Sequence, residues 1–140
     1  MLLVRDSGAV AVQAPLRGPG DARECFTRSG IDLSSEAVET LWAIVLDCRM
    51  RMIALTQIAR GTLTTCPTSA RSIAQVVLAA NGTAVILAHN HPSGDPTPSA
   101  EDVEATRRVK EALAAIEIAL LDHIVVGDDR SISMREAGLF

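Results

Sequence analysis

The chain has 140 residues, of which 48% are hydrophobic, 21% are charged and 2% are aromatic. This length suits one domain with one aliphatic core, and the composition excludes a disordered chain. A formal net charge of -4 provides no broad positive field that would attract a nucleic-acid backbone.

Cys25, Cys48 and Cys66 form no CxxC pair, so the sequence offers neither a zinc ribbon nor a disulfide framework. We interpret them as reduced, small apolar side chains. The first residues lack a basic segment followed by an apolar run, and no apolar run reaches the roughly 18 residues of a membrane span. These features predict a cytoplasmic protein without membrane contact.

The first thirty residues predict an edge element followed by a short helix. Two apolar runs in residues 2–13 are typical of a small hairpin or a pair of edge strands. Asp21 is expected to cap the helix, with Gly30 as its C-terminal stop. We therefore treat residues 1–20 as an N-terminal extension of a domain that covers residues 21–140.

Two runs of strand formers separated by a polar turn predict a hairpin in the next segment. ETLWAIVLD occupies residues 39–47, the turn residues 48–51, and MIALTQIA residues 52–59. Both strands are expected to be central in a sheet, because they are apolar over most of their length.

Helix and strand patterns alternate in the remainder of the chain. Thr68 or Ser69 is predicted to cap an amphipathic helix that ends at Asn81 and Gly82. The apolar run TAVILA at residues 83–88 is typical of a strand that is buried on both faces.

Ser99 is then predicted to begin a helix that runs to about Ala115. The apolar side chains expected on its inner face are Val103, Val109, Leu113 and Ile116. IALLDHIVVG at residues 118–127 predicts a further strand, and SISM at residues 131–134 predicts a last short strand before a terminal helical turn. The alternating order indicates an α/β domain.

Residues 89–102, HNHPSGDPTPSAED, concentrate two of the three histidines, a serine and a carboxylate. On an extended segment, His89 and His91 project from the same face. A proline-stiffened loop and a helix start then return Asp102 towards them. Three protein ligands with one open position are typical of a hydrolytic zinc centre, although ligand types alone also allow iron or manganese.

Each part of this segment also has a structural interpretation. An HxH pair occurs by chance on many surfaces, and Ser99 with Asp102 fits a capping box at the start of a helix. Asp95 is expected to serve the loop turn, and it is an alternative ligand. The combination of a buried strand, the histidine pair and the helix start favours the metal site.

The segment resembles the metal motif of the JAMM metallopeptidases, in which HxH is followed after seven residues by Ser and after two more by Asp. Its intervening residues are similar to the RadC branch of that family, and the similarity extends over roughly residues 36–139. The resemblance implies a single RadC-like JAB/MPN domain, with a cytidine-deaminase-like fold in which helices flank a mixed, curved sheet. RadC proteins usually carry a helical, DNA-binding-like segment before this domain, which we do not expect here.

The resemblance also implies roles for individual residues. His89, His91 and Asp102 would bind Zn²⁺, and Ser99 would donate its hydroxyl to the oxyanion formed when water attacks a carbonyl. A glutamate on the entry strand would be the general base. It aligns with Glu39, while Glu36 is the competing residue, and a solvated strand end is the structural alternative.

His123 is left outside the ligand set as a core residue or as a group that orients a ligand. Arg107, Arg108 and Lys110 form the densest basic cluster, but acidic neighbours on the same predicted helix favour a solvated surface.

The sequence is compatible with three functions. The first is a zinc-dependent hydrolase of peptide or isopeptide bonds, acting on a protein or peptide substrate. The second is a metal-dependent nuclease or DNA repair factor, because RadC proteins have been associated with DNA repair, although the charge does not indicate nucleic-acid binding. The third is a non-catalytic interaction module. The missing HxE and PCxxC patterns exclude a cytidine deaminase.

Overall fold

The computed structural model describes residues 3–4, 14–61 and 69–140. In chain order, its helices and strands are β1 (Leu3–Val4), α1 (Pro19–Arg28), β2 (Thr40–Leu46), β3 (Met52–Arg60), α2 (Ala70–Ala79), β4 (Ala84–Asn90), α3 (Ala100–Ala114), β5 (Ala119–Val126) and β6 (Ser131–Ser133), with a 3₁₀ turn at Leu33–Ser35. The predicted α/β class is confirmed.

Within the described residues, the strands form one mixed sheet in the order β1-β3-β2-β4-β5-β6. β4 and β5 are parallel because α3 provides the crossover between them, and the other neighbouring pairs are antiparallel. Register shifts at Leu41/Trp42 and Val45/Leu46 interrupt the ladder between β2 and β3, and such irregularities increase the local bend of a sheet. The predicted hairpin is confirmed, and each of its two strands lies between two neighbouring strands.

The sheet carries a separate apolar layer on each face. On β2, Trp42 and Ile44 pack with α1, while Leu41 and Ala43 pack on the opposite face with α2 and α3. β4 alternates in the same way, since Leu87 belongs to the α2–α3 layer and Ala88 to the α1 layer. The strands are therefore apolar on both faces, as a covered sheet requires.

The first helix begins earlier than predicted. Gly18 occupies its N-cap position and Pro19 its first position, where a proline needs no hydrogen-bond partner for its nitrogen. Asp21 is not the cap, because it lies inside the first turn and accepts a hydrogen bond from the Arg17 N–H at 2.9 Å. Gly30 ends the helix as predicted, with a φ of 72°.

The other two helices follow their predicted caps closely. Ser69 accepts a hydrogen bond from the Ser72 N–H, and Asn81 ends the same helix with a φ of 58°. The prediction that Ile116 faces inward is wrong, since it is 49% exposed. α3 ends at Ala114, and the chain reverses so that Ile118 enters the core instead.

At its edge, the sheet includes part of the N-terminal extension. The backbone of Leu3 and Val4 pairs with β3, which supports an edge strand there. The remainder of the hairpin predicted in residues 2–13 lies outside the described residues, as do Cys66 and the alternative cap Thr68. In the part of the chain that the structure describes, every helix is too short or too polar to cross a membrane.

Candidate metal centre

The three side chains predicted to bind a metal meet at the carboxyl end of β4. His89 is the penultimate residue of that strand, His91 follows it, and Asp102 lies in the first turn of α3. The Nε2 atoms of the two histidines are 3.0 Å apart. Asp102 Oδ2 lies 3.2 Å from His91 Nε2 and 3.5 Å from His89 Nε2. The structure thus brings together three atoms of the kind that bind a metal ion.

Backbone hydrogen bonds connect the loop after β4 to the end of β5. The His91 N–H donates to the Val126 carbonyl at 2.9 Å, and the Asp128 N–H donates to the Gly94 carbonyl at 3.1 Å. Gly94 has a φ of 89°, and Gly127 lies so close to it that a Cβ on Gly127 would overlap the Gly94 carbonyl oxygen. The position of the loop therefore depends on Gly127, which follows β5 and has no side chain.

Ser99 and Asp102 form the capping box that was the alternative interpretation of this segment. The Ser99 hydroxyl accepts from the Asp102 N–H at 3.0 Å, and Asp102 Oδ2 accepts from the Ser99 N–H at 2.9 Å. The same Oδ2 faces both histidines, so the cap also orients the carboxylate towards them. Because the Ser99 oxygen only accepts in this box, its hydrogen remains available to a further acceptor.

The local environment keeps Asp102 ionised. Burial raises the pKa of this carboxyl, but the His89 imidazole and the Ser99 N–H outweigh burial, so the pKa lies well below its usual value. The group is consequently a carboxylate at neutral pH, which is the form that binds a metal ion.

The contact of His91 Nδ1 shows which nitrogen of this ring is available to a metal ion. His91 Nδ1 lies 2.8 Å from the Asp95 carbonyl oxygen, which can only accept, so Nδ1 carries a hydrogen. In the neutral ring, Nε2 then presents a lone pair towards Asp102. Asp95 itself is not part of the cluster, since its carboxylate accepts from the N–H and hydroxyl of Thr97.

His123 lies behind the cluster, in the interior of the protein. It is 4% exposed, and its Nε2 is 2.7 Å from His89 Nδ1. Burial, assisted by the nearby His89, holds its pKa well below the usual value, so the ring is neutral. It is a buried group that contacts the His89 imidazole, as expected of a core residue or of a group behind the ligands; it does not contact the Asp102 carboxylate among the hydrogen bonds of the described residues.

Glu39 lies immediately before β2, at the same edge of the sheet as the cluster. Leu41 pairs with His89 in the antiparallel ladder, so an extension of that register by two residues sets Glu39 opposite His91. Strand alternation assigns Glu39 to the face that Leu41 shares with α3. The competing residue Glu36 instead forms an ion pair with Arg60 at 3.0 Å.

Asn90, between the two histidines, has a role that the sequence analysis missed. Its Oδ1 accepts from the N–H and hydroxyl of Thr40 at 2.7 and 2.8 Å, and its Nδ2 donates to the Val38 carbonyl at 2.9 Å. These two residues flank Glu39, so the Asn90 amide holds the backbone on both sides of it. The sequence does show an amide between the two histidines at the end of a buried strand, and a buried amide needs hydrogen-bond partners, but the sequence does not show which residues they are.

The fold and the cluster together define an α/β domain with a candidate histidine-histidine-carboxylate metal centre. A model of the RadC-like JAB domain family matches residues 16–139, and the chain belongs to this family. The predicted resemblance is therefore confirmed.

Curated relatives of this chain include several UPF0758 proteins. The chain is 44% identical over 107 residues to UPF0758 protein Smlt0399 of Stenotrophomonas maltophilia, an alignment that covers 76% of this chain and 46% of the relative. It is 41% identical over 125 residues to a UPF0758 protein of Marinobacter nauticus, covering 89% and 54% of the two chains. It is 39% identical over 127 residues to UPF0758 protein Bpet3149 of Bordetella petrii, covering 91% and 55%. The chain spans about half the length of the curated relatives it matches.

Proposed function

We propose that this domain is a zinc-dependent hydrolase that cleaves peptide or isopeptide bonds in a protein substrate by means of metal-activated water. The observation that carries the proposal is the approach of His89 Nε2, His91 Nε2 and Asp102 Oδ2 to within 3.5 Å of one another. Three atoms that bear lone pairs repel one another at such distances unless a proton or a cation lies between them.

The chemistry of the three groups suits zinc. Two imidazoles and one carboxylate are a ligand set that hydrolytic zinc sites use, and three protein ligands leave one position for water or substrate. When bound, the ion would polarise a substrate carbonyl and lower the pKa of a water ligand to about 7.

Two further residues would act directly on the reacting groups. Glu39 would accept a proton from the attacking water and return it to the leaving amine, and its position two residues before Leu41, which pairs with His89, supports this role. Ser99 would donate its hydroxyl hydrogen to the developing oxyanion, a contact for which a single donor typically contributes about 3 kcal/mol. The Asn90 amide would hold the strand that carries Glu39.

We also propose that the protein acts in a reducing compartment, which suits a cytoplasmic location. Among the described residues, Cys25 is buried and Cys48 is exposed, and both are free thiols. Free thiols of this kind persist most readily in the cytosol.

The experiment compares the parent chain with Glu39→Gln and with the matched control Glu36→Gln. Zinc content is measured first, followed by cleavage of peptide, isopeptide and single-stranded DNA panels. We expect about one zinc per chain in all three proteins, and a loss of peptide or isopeptide cleavage of about 100-fold or more in Glu39→Gln alone.

Other outcomes would replace parts of the proposal. A parent chain that rejects zinc would contradict the hydrolase, and activity lost only in Glu36→Gln would reverse the assignment of the base. Cleavage confined to DNA would make the protein a nuclease. Zinc binding without any cleavage would favour an interaction module.

A further inference from the structure

A buried series of hydrogen bonds runs behind the candidate metal centre and connects two of its proposed ligands. His89 Nδ1 lies 2.7 Å from His123 Nε2, and His123 Nδ1 lies 2.7 Å from the Thr106 hydroxyl. The Thr106 hydroxyl in turn lies 2.7 Å from the Asp102 carbonyl oxygen. All three side chains are buried, so bulk water does not compete for these contacts.

The Asp102 carbonyl, at the end of this series, determines which atom donates in each hydrogen bond. A carbonyl oxygen can only accept, so the Thr106 hydroxyl donates to Asp102 and is left to accept a hydrogen from His123 Nδ1. The nearby Met134 sulfur, 3.9 Å from the hydroxyl, is only a weak acceptor.

The same reasoning fixes the donor and the acceptor between the two imidazole rings. In a neutral imidazole with a hydrogen on Nδ1, Nε2 is an acceptor, so His123 Nε2 accepts from His89 Nδ1. His89 is thereby left with a lone pair on Nε2, the atom that faces His91 and Asp102. The reverse direction would put a hydrogen on His89 Nε2 and block metal binding by that atom.

We propose that Thr106 and His123 are positioning residues that hold His89 in the tautomer with a hydrogen on Nδ1, which prepares Nε2 to bind the metal ion. The inference rests on the metal site of the proposed function and is independent of which bond the protein cleaves. The helix α3 would then contribute twice to the site, because it supplies the Asp102 carboxylate and, through Thr106 and His123, orients His89.

The matched test uses Thr106→Val, which keeps the β-branched shape and removes the hydroxyl, and Thr106→Ser, which keeps the hydroxyl. Zinc affinity of the full chain is measured by competition with a chromophoric chelator. We expect Thr106→Val to bind zinc about 10- to 100-fold more weakly than the parent, and Thr106→Ser to remain within about threefold. Equal affinity in the parent and Thr106→Val would overturn the inference.

A second measurement does not depend on any variant folding. Nitrogen NMR of the histidine rings in the metal-free parent chain reports which nitrogen of His89 carries the hydrogen. A hydrogen on Nδ1 is expected, and a neutral ring with its hydrogen on Nε2 would contradict the inference. A parent chain that binds no zinc while His89 shows the expected tautomer would contradict the proposed function and leave the hydrogen-bond direction intact.

Discussion

His89 and Asn90, which end β4, and His91, which follows them, point alternately to the two faces of the sheet. His89 and His91 lie on the side of α3, while the Asn90 side chain reaches Val38 and Thr40 in the neighbouring segment. Strand alternation makes this division unavoidable. The HxH spacing therefore places, between the two histidines, a residue that holds the neighbouring segment and faces away from the cluster.

Asn90→Asp tests that role. The substituted carboxylate retains acceptors for Thr40 but places an oxygen against the Val38 carbonyl, where the amide had donated. We expect the free energy of unfolding to fall by about 1–3 kcal/mol and cleavage to fall with it, at unchanged zinc content. Denaturant titration and metal analysis check these values, with Gln75→Glu, the same change of an amide to a carboxylate at an exposed position of α2, as control. Loss of zinc in Asn90→Asp alone would contradict a role away from the metal.

At the residue scale, the sequence predicted what local spacing determines. The positions of His89, His91 and Asp102 follow from a strand end and a helix start within fourteen residues. The partners of Asn90 and His123 depend on pairings across 50 and 34 residues, respectively. A single sequence contains no signal for such pairings, so these contacts could not be predicted.

At the scale of elements, the loop between β4 and α3 depends on the end of β5. Its backbone hydrogen bonds reach Val126 and Asp128, and Gly127 lies between these two residues. The close approach of Gly127 to Gly94 leaves no space for a side chain.

Gly127→Ala is therefore expected to displace the loop and His91 with it. Zinc affinity should fall by about tenfold or more, since ligand groups must be held closely to their productive positions. Chelator competition measures the effect. Gly20→Ala is the control, because a Cβ at that position would make only an ordinary contact with Arg23. Parent-like affinity in Gly127→Ala would show that the contact does not position the loop.

The Asp47 carboxylate stabilises the turn between β2 and β3. Asp47 accepts hydrogen bonds from the N–H groups of Arg49 and Arg51, and from the Arg51 guanidinium at 2.9 Å. Burial raises the pKa of Asp47, but these donors outweigh burial and lower the pKa overall. The stabilisation is consequently present at neutral pH and is lost as the pH falls through the folded-state pKa.

We expect Asp47→Asn to lower the free energy of unfolding by about 1 kcal/mol at neutral pH, because it weakens charge-assisted hydrogen bonds. The difference from the parent should shrink as the pH falls from about 4 towards 2. Denaturant midpoints over this range provide the measurement, with Asp129→Asn as a control in an exposed turn. A difference that stays constant with pH would contradict the electrostatic explanation.

Element predictions succeeded where sequence signals were local and failed at the start of α1 and after the end of α3. The hairpin and the caps at Ser69 and Ser99 were all predicted from their own residues. Asp21 was assigned as a cap because Gly18 carries no side chain to mark the true one. Ile116 was assigned to the core from its helical spacing. The assignment failed because the chain turns at Glu117, which has a φ of 62° that its residue type does not indicate.

At the scale of the whole molecule, the candidate site connects elements that are distant in the sequence. His89 and His123 come from parallel neighbours β4 and β5, and Asp102 comes from the crossover helix between them. A metal ion bound there would join β4 and α3 directly, and β5 would be linked to the site through the hydrogen bond between His89 and His123.

Zinc should accordingly stabilise the fold. An ion that binds only the native state at about 1,000 times its dissociation constant adds about 4 kcal/mol, which corresponds to an increase in Tm of about 10–20 °C in a domain of this size. Thermal denaturation with zinc and with a chelator measures the difference. Asp102→Asn, which retains an oxygen for the cap, should show little of this increase. A parent Tm that does not change with zinc would contradict specific binding to the native state.

The central claim is that His89, His91 and Asp102 bind one zinc ion and leave a position open for water or substrate. X-ray absorption spectroscopy of the zinc-loaded, untagged chain tests it most directly. We predict one zinc per chain with two imidazole nitrogens, one carboxylate oxygen and a remaining light-atom ligand from solvent. A site with sulfur ligands, with four protein ligands, or without zinc would contradict the account.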